Sequence, residues 1–143
     1  MKDEKRYAVL IPYDISEPCS PYEMPAEGET VAELLAMQKA VGGHIEVVSV
    51  EALSGREIDM LLVVNEEGKI TDPPLPTNLR ATEYCKDEKK CRYTTVYRDI
   101  IVGNVLLFGG ATPDGEMICF SHELASDLSE YFDKLYTPKE VFI

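Results

Sequence analysis

The stretch "TVAELLAMQKAVGGHIEVVSV", residues 30–50, constrains the fold most. It changes period part-way. Residues 30–41 carry apolar side chains at helical spacing, with Val31, Leu34, Leu35 and Val41 on one face. Thr30 followed by Glu33 has the pattern of a capping box, so the helix is expected to open at Thr30. Gly42 and Gly43 supply the left-handed backbone that closes a helix. "HIEVVSVEAL" then alternates as a strand entered at His44. The order excludes a phosphate loop. There the glycines come before a helix, so that its positive end faces the anion. Here they follow the helix, at its negative end.

The other segments read in the same way. "RYAVLIPYDI" is a strand ended by proline and turn residues, and "SEPCSPYEMPAEGE" (16–29) is an irregular Pro-rich loop. "IDMLLVVNEEGKITD" is a strand, a tight turn at Asn65–Gly68 and a returning strand. "PPLPTNLRAT" is extended, and "YRDIIVGNVLLFGGATPDGEMICF" makes two strands with a bulge expected at Gly103. Ser121 caps a last helix with Leu124, Leu128, Tyr131, Phe132 and Leu135 as its apolar stripe. The reading is one domain over residues 1–143, of the α+β class. A mixed, mostly antiparallel sheet packs against two helices in the order β-α-β-β-β-β-β-α.

Charge narrows the function. The net charge is −12, and no Lys or Arg occurs from Tyr7 to Gln38. Phosphate backbones and anionic membranes demand clustered cations, so direct nucleic-acid and membrane partners are not expected. No apolar run reaches the roughly 20 residues of a membrane span, and no secretory leader is evident, so the expected location is cytoplasmic. Only residues 86–98, "KDEKKCRYTTVYR", are locally basic; they fall in a charged insertion loop over 83–98.

Four short motifs, "LLAMQKAVGGHIEVV", "VVNEEGKI", "PTNLRAT" and "DIIVGNVLLFGG", carry a resemblance. In order and spacing the chain resembles, over about residues 30–125, the family catalogued as domain of unknown function 3846. Members are small proteins of phages, plasmids and integrative elements. The resemblance implies an accessory protein of a mobile element and transfers no activity. Three departures stand out: His44 in place of an aromatic residue, the insertion around "EYCKDEKKCRYTTVY", and the length of the Pro-rich segment.

Catalytic signatures are missing: there is no G-x-S-x-G elbow and no P-loop, and Ser121–His122 are mere sequence neighbours. A non-enzymatic role is therefore expected, with no cofactor. Zinc is the weak alternative, through Cys85, Cys91, Cys119 and His122, because three thiolates and an imidazole make a tetrahedral set. Their spacing is off-pattern, and Cys119 lies in an apolar strand.

Tyrosines are the better hint. Tyr13, Tyr22, Tyr84, Tyr93 and Tyr97 fall in expected loops or exposed strands. Tyr13, Tyr22, Glu23, Glu27 and Glu29 form the candidate protein-binding surface, since tyrosine joins apolar area to a polar tip. The expected partner is a host protein, such as a defence enzyme that the acidic surface engages in the manner of nucleic acid. An alternative is a small-ligand or nucleotide module using Asn78, Arg80, Lys89, Lys90 and Arg92, although Arg80 serves equally well as a tie between a loop and the acidic surface. A homo-oligomer paired through edge strands is the third reading.

Overall fold

The computed structural model describes residues 5–50, 60–85 and 100–135. Five strands form one antiparallel sheet: β1 (Arg6–Ile11), β2 (Ser20–Met24), β3 (Ile45–Ser49), β4 (Leu61–Asn65) and β5 (Val105–Phe108). Their spatial order is β2-β1-β5-β4-β3. Among the described residues three helices accompany them: α1 (Thr30–Val41), α2 (Leu79–Cys85) and α3 (His122–Leu135). The expected α+β class is what the chain forms; the sheet, expected to be mixed and mostly antiparallel, is antiparallel at every pairing among the described residues, and a third helix joins the two expected.

The sheet is covered on both faces. α1 packs on one side, where Met37 and Val41 meet Ala8, Val63, Leu106, Phe108 and Met117. α2 and α3 pack on the other, where Ala81, Tyr84, Cys85, Ala125 and Phe132 meet Val9, Ile11, Leu62, Val105 and Leu107. Central β5 is therefore apolar at every position, "VLLF", and all four residues are buried. Flanking β1 divides by alternation, with Ala8 facing α1 and Val9 and Ile11 facing α3.

Several local expectations give way to the tertiary context. The Pro-rich segment contains strand β2, which pairs with β1 from Arg6↔Met24 to Leu10↔Ser20. A returning strand after Asn65 does not form, although the turn does, with Gly68 N–H donating to Asn65 O at 3.2 Å. Both edges of β4 are already occupied, by β3 and β5. "LRATEYC" is helix α2 rather than extended chain, and so takes up Glu83–Cys85 of the expected insertion loop. The remainder of that loop, 86–98, lies outside the described residues.

At α1 the glycine pair does what its order implied. Gly42 is left-handed (φ 83°) and its N–H donates to Gln38 O at 2.8 Å. The capping box does not form: Glu29 is the N-cap residue, without a side-chain cap bond, and Glu33 reaches Arg6 instead. The buried face also differs from the one expected. Ala36 and Ala40 let the backbone approach the sheet beside Met37 and Val41. This turns Val31, Leu34 and Leu35 outward, at 72%, 41% and 59% exposure. At α3 the expected cap is present, with Ser121 Oγ accepting from Leu124 N–H at 3.1 Å.

Candidate functional site

Two polar residues from "PTNLRAT" organise the end of the sheet where β1 stops. Asn78 is fully buried. Its Nδ2 donates to Ile11 O and Gly103 O, both at 2.8 Å, and its Oδ1 accepts from Ala81 N–H at 3.0 Å, capping α2. One amide thus joins β1, the approach to β5 and a helix start. Arg80 is equally enclosed. Its Nη1 donates to Asp133 Oδ1 on α3 at 3.0 Å. Its Nη2 faces three carbonyls of the β1–β2 connection: Pro12 O at 2.9 Å, Asp14 O at 3.0 Å and Glu17 O at 2.8 Å. Of the two roles open to Arg80 in the sequence, the internal tie is the one formed. An anion would have to displace these partners at a side chain only 3% exposed.

Above this anchor, residues 13–18 stand in solvent. Tyr13 N–H donates to Asn104 Oδ1 at 3.0 Å, and Asp14 Oδ1 accepts from both the N–H and the hydroxyl of Ser16. These donors, the hydroxyl first, hold the Asp14 carboxyl below its ordinary value of 3.8. Cys19 closes the loop, with its N–H donating to Asp133 Oδ1 at 2.8 Å. Burial pushes its thiol up to about 12, so it stays protonated and is a poor nucleophile.

The remaining candidates are dispersed. Tyr13 is exposed at the end of β1, whereas Glu23 pairs opposite Tyr7 near the strand's start, and Glu27 and Glu29 lie beyond β2. β1 separates them by about 17–20 Å at 3.3 Å per residue, so the five expected binding residues do not form one patch. Tyr22 is turned inward, its hydroxyl donating to Ala36 O at 3.0 Å. Tyr84 is buried against Phe132, with ring centroids 4.6 Å apart. Glu29 is the N-cap residue of α1, whose outward face carries Val31, Leu34 and Leu35, whereas Glu27 lines a separate cleft beside Arg6.

The weak metal set is split by the sheet. Cys85 belongs to the core beneath α2 and α3, whereas Cys119 packs on the α1 side. Among the described residues no group of three or more His, Cys, Asp or Glu is placed to hold a metal ion. Cys91, Lys89, Lys90, Arg92, Tyr93 and Tyr97 lie outside the described residues.

An open cleft of about 650 Å³ does gather Cys119 and His122 with Glu27, at the start of β1 and the N-terminus of α3. Tyr7, Ile118 and Phe120 line it together with Lys5, Arg6, Glu27 and Glu116. His122 meets the Tyr7 ring edge-on at 5.0 Å. Arg6 donates to Pro25 O at 2.9 Å and pairs with Glu33 at 3.4 Å. Burial raises the Cys119 thiol, which is not primed as a thiolate. Arg6 and the cleft were not singled out from sequence. The available signal was phase: Arg6 shares the strand face of Ala8 and Leu10, so a charge falls in register with apolar positions.

The fold and these surfaces define a small α+β protein with a five-stranded antiparallel sheet, both faces helix-covered, and no helix among the described residues long and apolar enough to cross a membrane. The family model described as domain of unknown function (DUF3846) matches residues 16–133, and the chain belongs to that family. No curated protein and no solved structure matches it.

Proposed function

We propose that the protein is a non-enzymatic binding protein that docks another protein through the outward face of α1. One observation carries the reading: three large aliphatic side chains at i, i+3 and i+4 are exposed on a helix whose opposite face is already buried. Removing such side chains from water on association is the main source of interface affinity. Glu29, the N-cap residue of α1, stands exposed at the N-terminal end of this stripe. The complementary partner therefore offers an apolar groove with Lys or Arg at its rim, a helix-in-groove mode. The net charge of −12 favours the encounter with a basic surface and disfavours one with nucleic acid. The resemblance to mobile-element proteins supports placing that partner in the bacterial host, a defence enzyme being one class with a basic, nucleic-acid-binding surface.

Affinity capture from a lysate of the organism carrying the gene tests this. A partner recovered by the wild-type chain and lost with Leu34→Asp and with Leu35→Asp, at unchanged thermal midpoint, is the expected outcome. Equal recovery by wild type and both variants rejects the α1 surface.

The cleft at Arg6 and His122 supports a second reading, a small-ligand module, because it sets apolar side chains beside charged and hydrogen-bonding ones. A ligand binding the native state must raise its melting temperature. No shift with a panel of nucleotides at concentrations far above a useful Kd excludes nucleotides from it.

A further inference from the structure

We infer that the β1–β2 connection, residues 12–18, is a second protein-docking element, a pre-shaped loop that presents Tyr13 and Ile15 to an apolar socket bordered by Lys or Arg. This goes beyond the α1 surface, which lies on a different part of the fold.

Three independent features of the loop converge. Its shape is fixed from below by a side chain from a distant part of the sequence: Arg80 Nη2 lies within 3.0 Å of the carbonyls of Pro12, Asp14 and Glu17. Two N–H groups facing three acceptors leave one bond shared, and the buried Nε has no partner. The shape is fixed again from the sides, by Tyr13 N–H on Asn104 and by the Ser16 donors on Asp14.

What the anchored loop displays is apolar. Tyr13 is 40% and Ile15 37% exposed. An aromatic held on a rigid backbone loses little entropy on binding, which is why tyrosine is prominent among interface anchors.

The charge around these two side chains selects the partner. Asp14 and Glu17 are exposed beside them, and the cation that touches the loop, Arg80, is enclosed beneath it. The acidity of Asp14 is reinforced by its own hydrogen bonds, so the loop stays anionic at neutral pH. The matching surface is an apolar pocket for the tyrosine with cations at its edge.

Panning random peptides displayed on phage against the full chain tests the inference without a known partner. The expected result is enrichment of peptides combining aromatic or aliphatic residues with Lys or Arg. Their binding weakens about ten-fold or more with Tyr13→Ala or Ile15→Ser, the scale of losing an interface anchor. Asn104→Ala, which frees the backbone at Tyr13 and leaves every displayed side chain in place, weakens it to a lesser degree. Both exposed-site variants are to keep the wild-type melting temperature. No enriched peptides, or peptides that bind Tyr13→Ala and Ile15→Ser as well as wild type, overturn the loop. Peptides lost with Leu35→Asp yet indifferent to Tyr13→Ala overturn it while supporting the α1 surface. Failure of both variant sets to matter rejects the two surfaces together.

Discussion

Arg80 and Asp133 lie 53 residues apart in sequence, and their Nη1 and Oδ1 atoms meet at 3.0 Å. The pair is unequal. The Arg80 side chain is 3% exposed and that of Asp133 34%. The arginine is held chiefly by backbone carbonyls, and the aspartate also accepts the Cys19 N–H. One guanidinium therefore connects α2 to both the β1–β2 loop and α3.

Truncation of the two partners should be correspondingly unequal. Arg80→Met removes the guanidinium from three loop carbonyls and from Asp133, which keeps the Cys19 N–H, and is expected to cost about 3 kcal/mol, the scale for losing a buried charged donor with several acceptors. Asp133→Asn retains an acceptor oxygen, and the lost charge is partly screened by water, so about 1 kcal/mol is expected. Urea unfolding of the two variants measures both. Equal losses would mean that the carbonyl cage contributes nothing beyond the ion pair.

The different roles of these residues explain which parts of the fold were legible in the sequence. Gly42 after the last periodic residue of α1 marked a helix end because a left-handed backbone is a local requirement. Ser121 marked a helix start for the same kind of reason. β2 was not legible, since "SPYEM" acquires its strand pairing only from β1. α2 was missed because its cap, Asn78, doubles as a long-range tie to Ile11 and Gly103, and no local pattern records that. The face of α1 was misjudged because both faces carry apolar residues. Size favours the leucines, and close approach favours the alanines. Of the candidate site, Tyr13 was legible as an exposed tyrosine, whereas its separation from Glu27 and Glu29 depends on strand register.

The outward face of α1 makes its own stability prediction. Val31→Ser and Leu35→Ser should each change unfolding free energy by no more than about 0.5 kcal/mol, as surface changes do. Met37→Ala, on the opposite face, should cost about 2–5 kcal/mol through lost burial and a cavity. Chemical denaturation distinguishes the two faces directly. A loss of core magnitude at Leu35 would place that leucine in the interior and remove the surface on which α1 docking rests.

Asp14 gives a pH signature. The Ser16 hydroxyl, then the Ser16 N–H, lower its carboxyl from 3.8. A depressed folded-state value contributes stability that is present above the unfolded value and lost as pH falls through the folded one. Ser16→Ala removes the larger cause and retains the smaller. The wild-type chain should therefore be the more stable at neutral pH, and the difference should shrink as pH drops below 3.8. Unfolding curves for both chains across the acidic range test the sign. A difference that grows on acidification would show that Asp14 does not hold this bond in the folded chain.

Cys19 shifts in the opposite direction. Burial is the largest cause, and it pushes the thiol from 9.0 to about 12, with Arg80 opposing and Asp133 adding to the rise. Below 9.0 the thiol is protonated whether the chain is folded or not, and the shift has no effect on stability. Between 9.0 and about 12 the unfolded chain ionises while the folded chain does not, so stability falls as pH rises through that window. Cys19→Ser, whose hydroxyl does not titrate there, should lose less stability across the same range. The same burial protects the sulfur from alkylation. With iodoacetamide at mildly alkaline pH, mass mapping should find Cys19 unmodified in the native chain and modified along the urea unfolding curve. Native-state labelling of Cys19 would mean that the loop closing over it opens without global unfolding. The Arg80 anchor would then be weaker than its four hydrogen-bonded oxygens imply.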